Sequence, residues 1–162
     1  MIKFRHEVLE SDIEKVYSIV KSTGFFREDE ILIARELAEE AFSKGQKISG
    51  YNFIFAEIDG EVAGYTCYGE IPCTIGSYDL YWIAVDNSRR GSGIGKLLME
   101  KTEYEIKKIN GRMIYIETSN KPLYEPTKKF YLSCNYKIEV ILKDFYAPQD
   151  DKIIYSKKIR NQ

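Results

Sequence analysis

A chain of 162 residues, 44% hydrophobic and 30% charged, has the size and make-up of one domain with its own core. A net charge of −1 and a pI near 6.0 exclude the broad basic field that draws in nucleic acid or an anionic membrane. One histidine, His6, and three cysteines without metal-type spacing argue against a zinc site, a histidine triad and a disulfide scaffold, so no metal is expected.

In chain order, residues 2–6 alternate and predict a short strand. Residues 11–20 place Ile13, Val16, Tyr17 and Val20 at helical spacing, with Ser11 as the predicted N-cap and Glu14 three residues on. Residues 28–43 predict a second helix, stopped by Gly45. Asn52–Ile58 and residues 62–70 predict strands joined at Asp59-Gly60, a strong hairpin signal. An apolar strand is predicted over 78–85, a turn over 86–90 and a long amphipathic helix over 93–108. A buried strand over 113–118 and a helix over 126–133, with Pro126 near its first position, follow. The last strands are predicted over 137–143 and 153–157, with 144–151 as a loop. The order β-α-α-β-β-β-α-β-α-β-β describes an α/β fold on a mixed sheet, expected to form a single domain over 1–162. No apolar run nears the roughly 18 residues of a membrane span, and the first residues lack a signal-peptide core. A cytoplasmic location without membrane contact is therefore expected.

The turn Arg90-Gly91-Ser92-Gly93-Ile94-Gly95-Lys96 lies between a predicted strand and a predicted helix. Alternating glycines let backbone N–H groups converge without Cβ interference, and the helix start adds unpaired N–H groups and its positive dipole end. Such a turn suits a pyrophosphate, with Arg90 and Lys96 as charges at its rim. A Walker A loop needs a different spacing and a Ser or Thr after the lysine, where Leu97 stands. A dinucleotide fingerprint needs its third glycine one residue later. A glycine-rich turn that binds nothing is the plain alternative.

Arg-x-x-Gly-x-Gly at residues 90–95, preceded by Ile83-Ala84-Val85-Asp86, resembles the acyl-CoA signature of the GNAT superfamily. The likeness runs from about residue 60 to 157 and includes Phe130-Tyr131-Leu132-Ser133-Cys134-Asn135-Tyr136, which is similar to the family's Phe-Tyr-x-x-x-Gly-Phe element. The resemblance implies a sheet of about seven mostly antiparallel strands, flanked by about four helices and splayed at its central parallel strands. It implies acetyl-CoA as co-substrate. Ile83, Ala84 and Val85 would meet pantetheine and the acetyl group, and Arg90, Gly91, Ser92, Gly93, Ile94, Gly95 and Lys96 would meet the pyrophosphate. Tyr131 inherits the acid that protonates the leaving thiolate. Asn135 stands where the family has glycine, and asparagine is the next best left-handed residue. The family often has an asparagine seven residues before that tyrosine; Tyr124 stands there, and Asn120 substitutes for it if the loop is longer.

Acetylation needs a neutral amine, so a carboxylate must take a proton, often through water. Asp79 shares a strand face with Tyr81, Ile83 and Val85, where the family often has a glutamate base; Glu117 ends the next strand, where ribosomal-protein alanine acetyltransferases keep theirs. Each could equally be a hydrogen-bonded strand-end carboxylate. The tetrahedral oxyanion would lean on a backbone N–H near Ile83–Val85. Tyr51, Phe53, Tyr68, Tyr81 and Trp82 are candidates for either an amine pocket or the core. Cys134 has no histidine to activate it and reads as packing. The expected activity is acetyl transfer to a primary amine, first of a small molecule and alternatively of a protein N-terminus. A non-catalytic acyl-CoA sensor is the third reading. Acetyl-CoA and an amine acceptor are the expected partners, with a homodimer as a further expectation.

Overall fold

Seven strands form one mixed sheet in the order β1-β2-β3-β4-β5-β7-β6 in the computed structural model, which describes residues 1–159. The strands are β1 (Ile2–Arg5), β2 (Asn52–Ile58), β3 (Glu61–Glu70), β4 (Ser77–Val85), β5 (Met113–Ser119), β6 (Lys137–Ala147) and β7 (Asp150–Lys158). The helices are α1 (Glu10–Ser22), α2 (Glu28–Lys44), the single turn α3 (Gln46–Ser49), α4 (Ile94–Lys108) and α5 (Glu125–Ser133). This is the α/β architecture that the element order implies, with four helices of more than one turn among the described residues. The chain divides into two compact units, Met1–Gly69 with Leu80–Tyr104, and Glu70–Asp79 with Glu105–Gln162.

In the first unit, β1 and β3 flank β2 in antiparallel register, from Ile2↔Ile58 to Arg5↔Phe55 and from Asn52↔Tyr68 to Ile58↔Glu61. The apolar stripes of α1 (Val16, Ile19, Val20) and α2 (Ile31, Ala34, Ala38, Ala41) share a core with Phe53, Phe55 and Tyr65 of the strands. Alanines on α2 allow close approach; Phe53 stacks on Phe55 and Tyr65 at 5.6 and 5.8 Å, and Phe55 meets Tyr65 at a tilt at 6.2 Å. A buried hydroxyl pair, Thr66 and Thr102 at 2.8 Å, ties β3 to α4.

The start of α1 differs from expectation. Leu9, not Ser11, is the N-cap, and Asp12 rather than Glu14 closes the box by accepting from the Leu9 N–H at 2.7 Å. The reason is nonlocal. Asp12 is buried and also receives two hydrogen bonds from the Arg5 guanidinium of β1, at 2.7 and 2.9 Å. A bidentate pair of this kind selects the register of the helix start.

In the second unit, β4 and β5 pair in parallel from Ser77↔Met113 to Asp79↔Tyr115. β5 and β7 pair antiparallel from Met113↔Lys158 to Ser119↔Lys152, and β6 returns on β7. The predicted loop over 144–151 is mostly strand. β6 runs on to Ala147 and β7 begins at Asp150, because the Asp151 carboxylate accepts from Lys143 Nζ at 2.7 Å and the Asp144 N–H at 3.0 Å and holds the hairpin end.

Candidate active site

The glycine turn is built by capping. β4 ends at Val85, and the Asp86 carboxylate accepts from the Ser88 N–H at 3.0 Å and the Ser88 hydroxyl at 2.6 Å. These bonds hold the Asp86 carboxyl below the usual carboxylate range and close a short 3-10 turn, Asn87–Arg89. The Asp86 N–H donates to the Ala63 carbonyl at 2.8 Å, and the Asn87 N–H to the Ser22 hydroxyl at 3.0 Å. The turn is thereby anchored on both sides within the first unit.

Gly91 and Gly93 then take φ of 75° and 83°, in the left-handed region that favours glycine. The Gly93 carbonyl accepts the first bond of α4, from Leu97 N at 3.2 Å. The leading N–H groups of α4, at Ile94, Gly95 and Lys96, therefore have no acceptor within the helix. Ile94 is buried and anchors this end, whereas Arg90, Ser92, Gly93 and Lys96 are exposed. The Arg90 guanidinium lies 4.9 Å from the Phe25 ring centroid, which limits its travel. The arrangement sets backbone N–H groups without a helical acceptor and an arginine together at a helix start, the form of an anion site. Of the strand residues expected to meet the acyl arm, Ala84 is buried, and Ile83 and Val85 are half-buried. Gly64 is the β3 residue against which this strand packs, since a Cβ there would meet the Ala84 carbonyl at 2.9 Å.

In the second unit, strand parity sorts the remaining candidates. Asp79, Tyr115, Glu117 and Lys152 fall on one face of the sheet by register, and Ile116, Ile153 and Tyr155 on the other. Asp79 is half-buried, and its side chain has no hydrogen bond or ion pair among the described residues. Burial first, and Glu117 second, push its carboxyl above the ordinary aspartate range; Lys152 pulls the other way. Glu117 is different. It is 49% exposed and bonded to Lys152 Nζ at 2.6 Å. Lys152 is a residue that sequence reasoning missed, because its place beside Glu117 depends on the β5–β7 register.

Tyr131 packs against the other face. Its ring lies 5.2 Å from that of Tyr155 and 6.2 Å from that of Tyr136. Burial, with Tyr155 and Cys134 nearby, raises its phenol well above the usual tyrosine range, so it stays protonated at any working pH. The helix stop that orients it is a paired C-cap. The Tyr136 N–H donates to the Tyr131 carbonyl at 3.1 Å and the Asn135 N–H to the Leu132 carbonyl at 3.0 Å, with Asn135 at φ 64°. Asn120 donates its N–H to the Asp151 carbonyl at 2.9 Å, and Tyr124 caps α5. Cys134 is buried. Among the aromatic candidates, Phe53 and Tyr68 belong to the core, while Tyr81 is exposed and meets Tyr51 edge-on at 5.5 Å.

Residues 49–138 match the acetyltransferase (GNAT) domain family. A crystal structure assigned to the GNAT acetyltransferases, from Desulfovibrio desulfuricans, is 42% identical; the alignment covers 99% of this chain and 100% of that one, with a TM-score of 0.96. The ribosomal-protein-S18-alanine N-acetyltransferase of Escherichia coli is 17% identical, over 100% and 96% of the two chains, at 0.77. An aminoglycoside 6'-N-acetyltransferase solved with coenzyme A is 19% identical, over 100% and 98%, at 0.75. The last two likenesses are of fold alone. No curated relative matches the chain.

Proposed function

The chain belongs to the GNAT acetyltransferase family, and on that premise we propose that it moves an acetyl group from acetyl-CoA to a primary amine of a small molecule by direct attack. The observation that carries this reading is the anchored glycine turn opening onto the N-terminus of α4. Its N–H groups and Arg90 would take the pyrophosphate. Ile83, Ala84 and Val85 would lie along the pantetheine arm and supply a backbone N–H to the oxyanion. Asn120 is the candidate for a further CoA contact. We take residues 1–162 to act as one N-acetyltransferase domain.

The reaction needs two proton movements. An ammonium acceptor gives one proton to Asp79, directly or through water, and the neutral nitrogen attacks the thioester carbonyl carbon. A C–N bond forms, the C–S bond breaks, and the thiolate takes the Tyr131 proton. The nitrogen's second proton passes through water to restore the Tyr131 phenol, and Asp79 returns its proton to solvent, so the net products are the amide, CoA thiol and one proton. Asp79 suits the first task because its side chain has no hydrogen bond or ion pair among the described residues and its raised pKa makes it a better base than an ordinary aspartate. Tyr131 suits the second because burial keeps it protonated.

A protein N-terminus is the second acceptor. Phe145 and Tyr146 favour it, since both are exposed at the end of β6 where a peptide could lie. A screen of small amines against alanine-start peptides, read by product mass, separates the two. Acetylation of peptides alone would sink the small-molecule reading. A non-catalytic acyl-CoA sensor would bind the cofactor and acetylate neither.

A further inference from the structure

The Asp79 face of the second unit carries a feature that the proposed chemistry does not use. Lys152 is a lysine only 11% exposed, which is rare for this residue type without a task. Its ammonium is held twice, by the Glu117 carboxylate at 2.6 Å and over the Phe145 ring at 4.1 Å. It stands opposite Ser119, diagonal to Glu117 across β5 and β7.

We propose that Lys152 is a positioning residue of this site: by clamping Glu117 it leaves Asp79, rather than Glu117, to take a proton from the acceptor amine. The inference rests on the reading of Asp79 as the base. Two carboxylates close together on one face would otherwise share a proton, and neither would serve as a dedicated base. With Lys152 in place, Glu117 is neutralised by a partner and Asp79 is not. Lys158 shares this face opposite Met113, and Asp79 is the carboxylate beside Glu117 with no hydrogen bond or ion pair among the described residues, which suits an acceptor arriving as an ammonium ion.

The other groups on that face do not replace Lys152. Tyr115 stands beside Asp79 in register and offers a phenol, not a cation. Lys137 and Glu139 of β6 pair with each other at 2.8 Å. Tyr81 follows Asp79 on β4 by the period of two. The direction of the Asp79 shift agrees: Glu117 raises it and Lys152 lowers it.

The test is a titration that needs no acceptor. Carboxyl-carbon NMR on protein labelled at Asp and Glu follows Asp79, whose signal is assigned by its loss in Asp79→Asn. Lys152→Met keeps the aliphatic stem and removes the charge, so the Asp79 midpoint should move to higher pH. Lys152→Arg should return it to the wild-type value. Glu117→Gln, which alters no buried packing, should move it to lower pH and serves if the methionine variant does not fold. An unmoved midpoint in both Lys152→Met and Glu117→Gln overturns the proposal. Turnover of Asp79→Asn keeps the two failures apart: a variant slowed as expected with unmoved titrations sinks only the Lys152 role, and a variant with full turnover sinks the base itself.

Discussion

Asp79 and Tyr131 lie on opposite sides of the same sheet, one on the face shared with Glu117 and the other packed through Tyr155 on the reverse. Proton uptake and proton delivery are thus assigned to groups with separate surroundings. Single substitutions should report on each task without disturbing the other.

Asp79→Asn should slow turnover by roughly 10²–10⁴-fold at neutral pH, with acetyl-CoA affinity nearly intact. The loss should shrink at high pH, where amines deprotonate unaided. The same variant should melt higher than wild type at neutral pH. The folded pKa of Asp79 lies above its unfolded value, so the fold favours the protonated form, and stability falls as pH rises through that window. The gain should vanish below the unfolded aspartate pKa. Paired scans at low and neutral pH check the sign. Glu117→Gln should keep most of the turnover; a larger loss there than in Asp79→Asn would reverse the roles.

Tyr131→Phe keeps the ring contacts with Tyr155 and Tyr136, so the melting temperature should hardly change. It removes the acid for the leaving thiolate. kcat and kcat/KM should fall together, by about 10–10³-fold, because a thiol is already a fair leaving group. A lowered melting point with wild-type turnover would leave Tyr131 as packing.

Gly93→Val places a β-branched residue at φ 83°, a strain of about 1–3 kcal/mol. Among the described residues, nothing beyond its chain neighbours lies within 4 Å of the added Cβ, so a clash of that atom is not the cause of a loss. Affinity for acetyl-CoA should drop at least about tenfold, from strained N–H geometry and from intrusion on the phosphate. Calorimetry on folded variant that shows unchanged affinity would falsify the pyrophosphate assignment.

Asp12→Ala removes the acceptor of both Arg5 hydrogen bonds and of the Leu9 N–H. Breaking a buried pair costs about 3–5 kcal/mol, and Arg5 keeps Glu57 at 2.7 Å, so about 2–3 kcal/mol is expected. Urea unfolding measures it, and a loss below about 1 kcal/mol would mean that the pair does not set the start of α1.

The parts that sequence reasoning found are those whose cause is local. The glycine turn is visible because backbone freedom is written in the spacing of Gly91, Gly93 and Gly95, and the α5 stop because Asn135 takes a left-handed φ by its own chemistry. The parts it missed depend on residues far apart in the chain. Ser11 was the expected cap because nothing nearby shows that Arg5 will bind Asp12. Residues 144–151 have the composition of a loop, and only pairing with β7 extends β6 to Ala147. Lys152 carries no motif at all, since its partner Glu117 is supplied by strand register. The role of Asp86 in folding the turn was within reach, as Asp-x-Ser is a local capping pattern.

Release of free CoA thiol from acetyl-CoA across a panel of primary amines, with the mass of each product recorded, tests amine acetylation most directly. At least one amine should gain a single acetyl group for each thiol released, at a rate cut sharply by Asp79→Asn and Tyr131→Phe. Protein that binds acetyl-CoA yet releases thiol with no amine or alanine-start peptide would contradict amine acetylation.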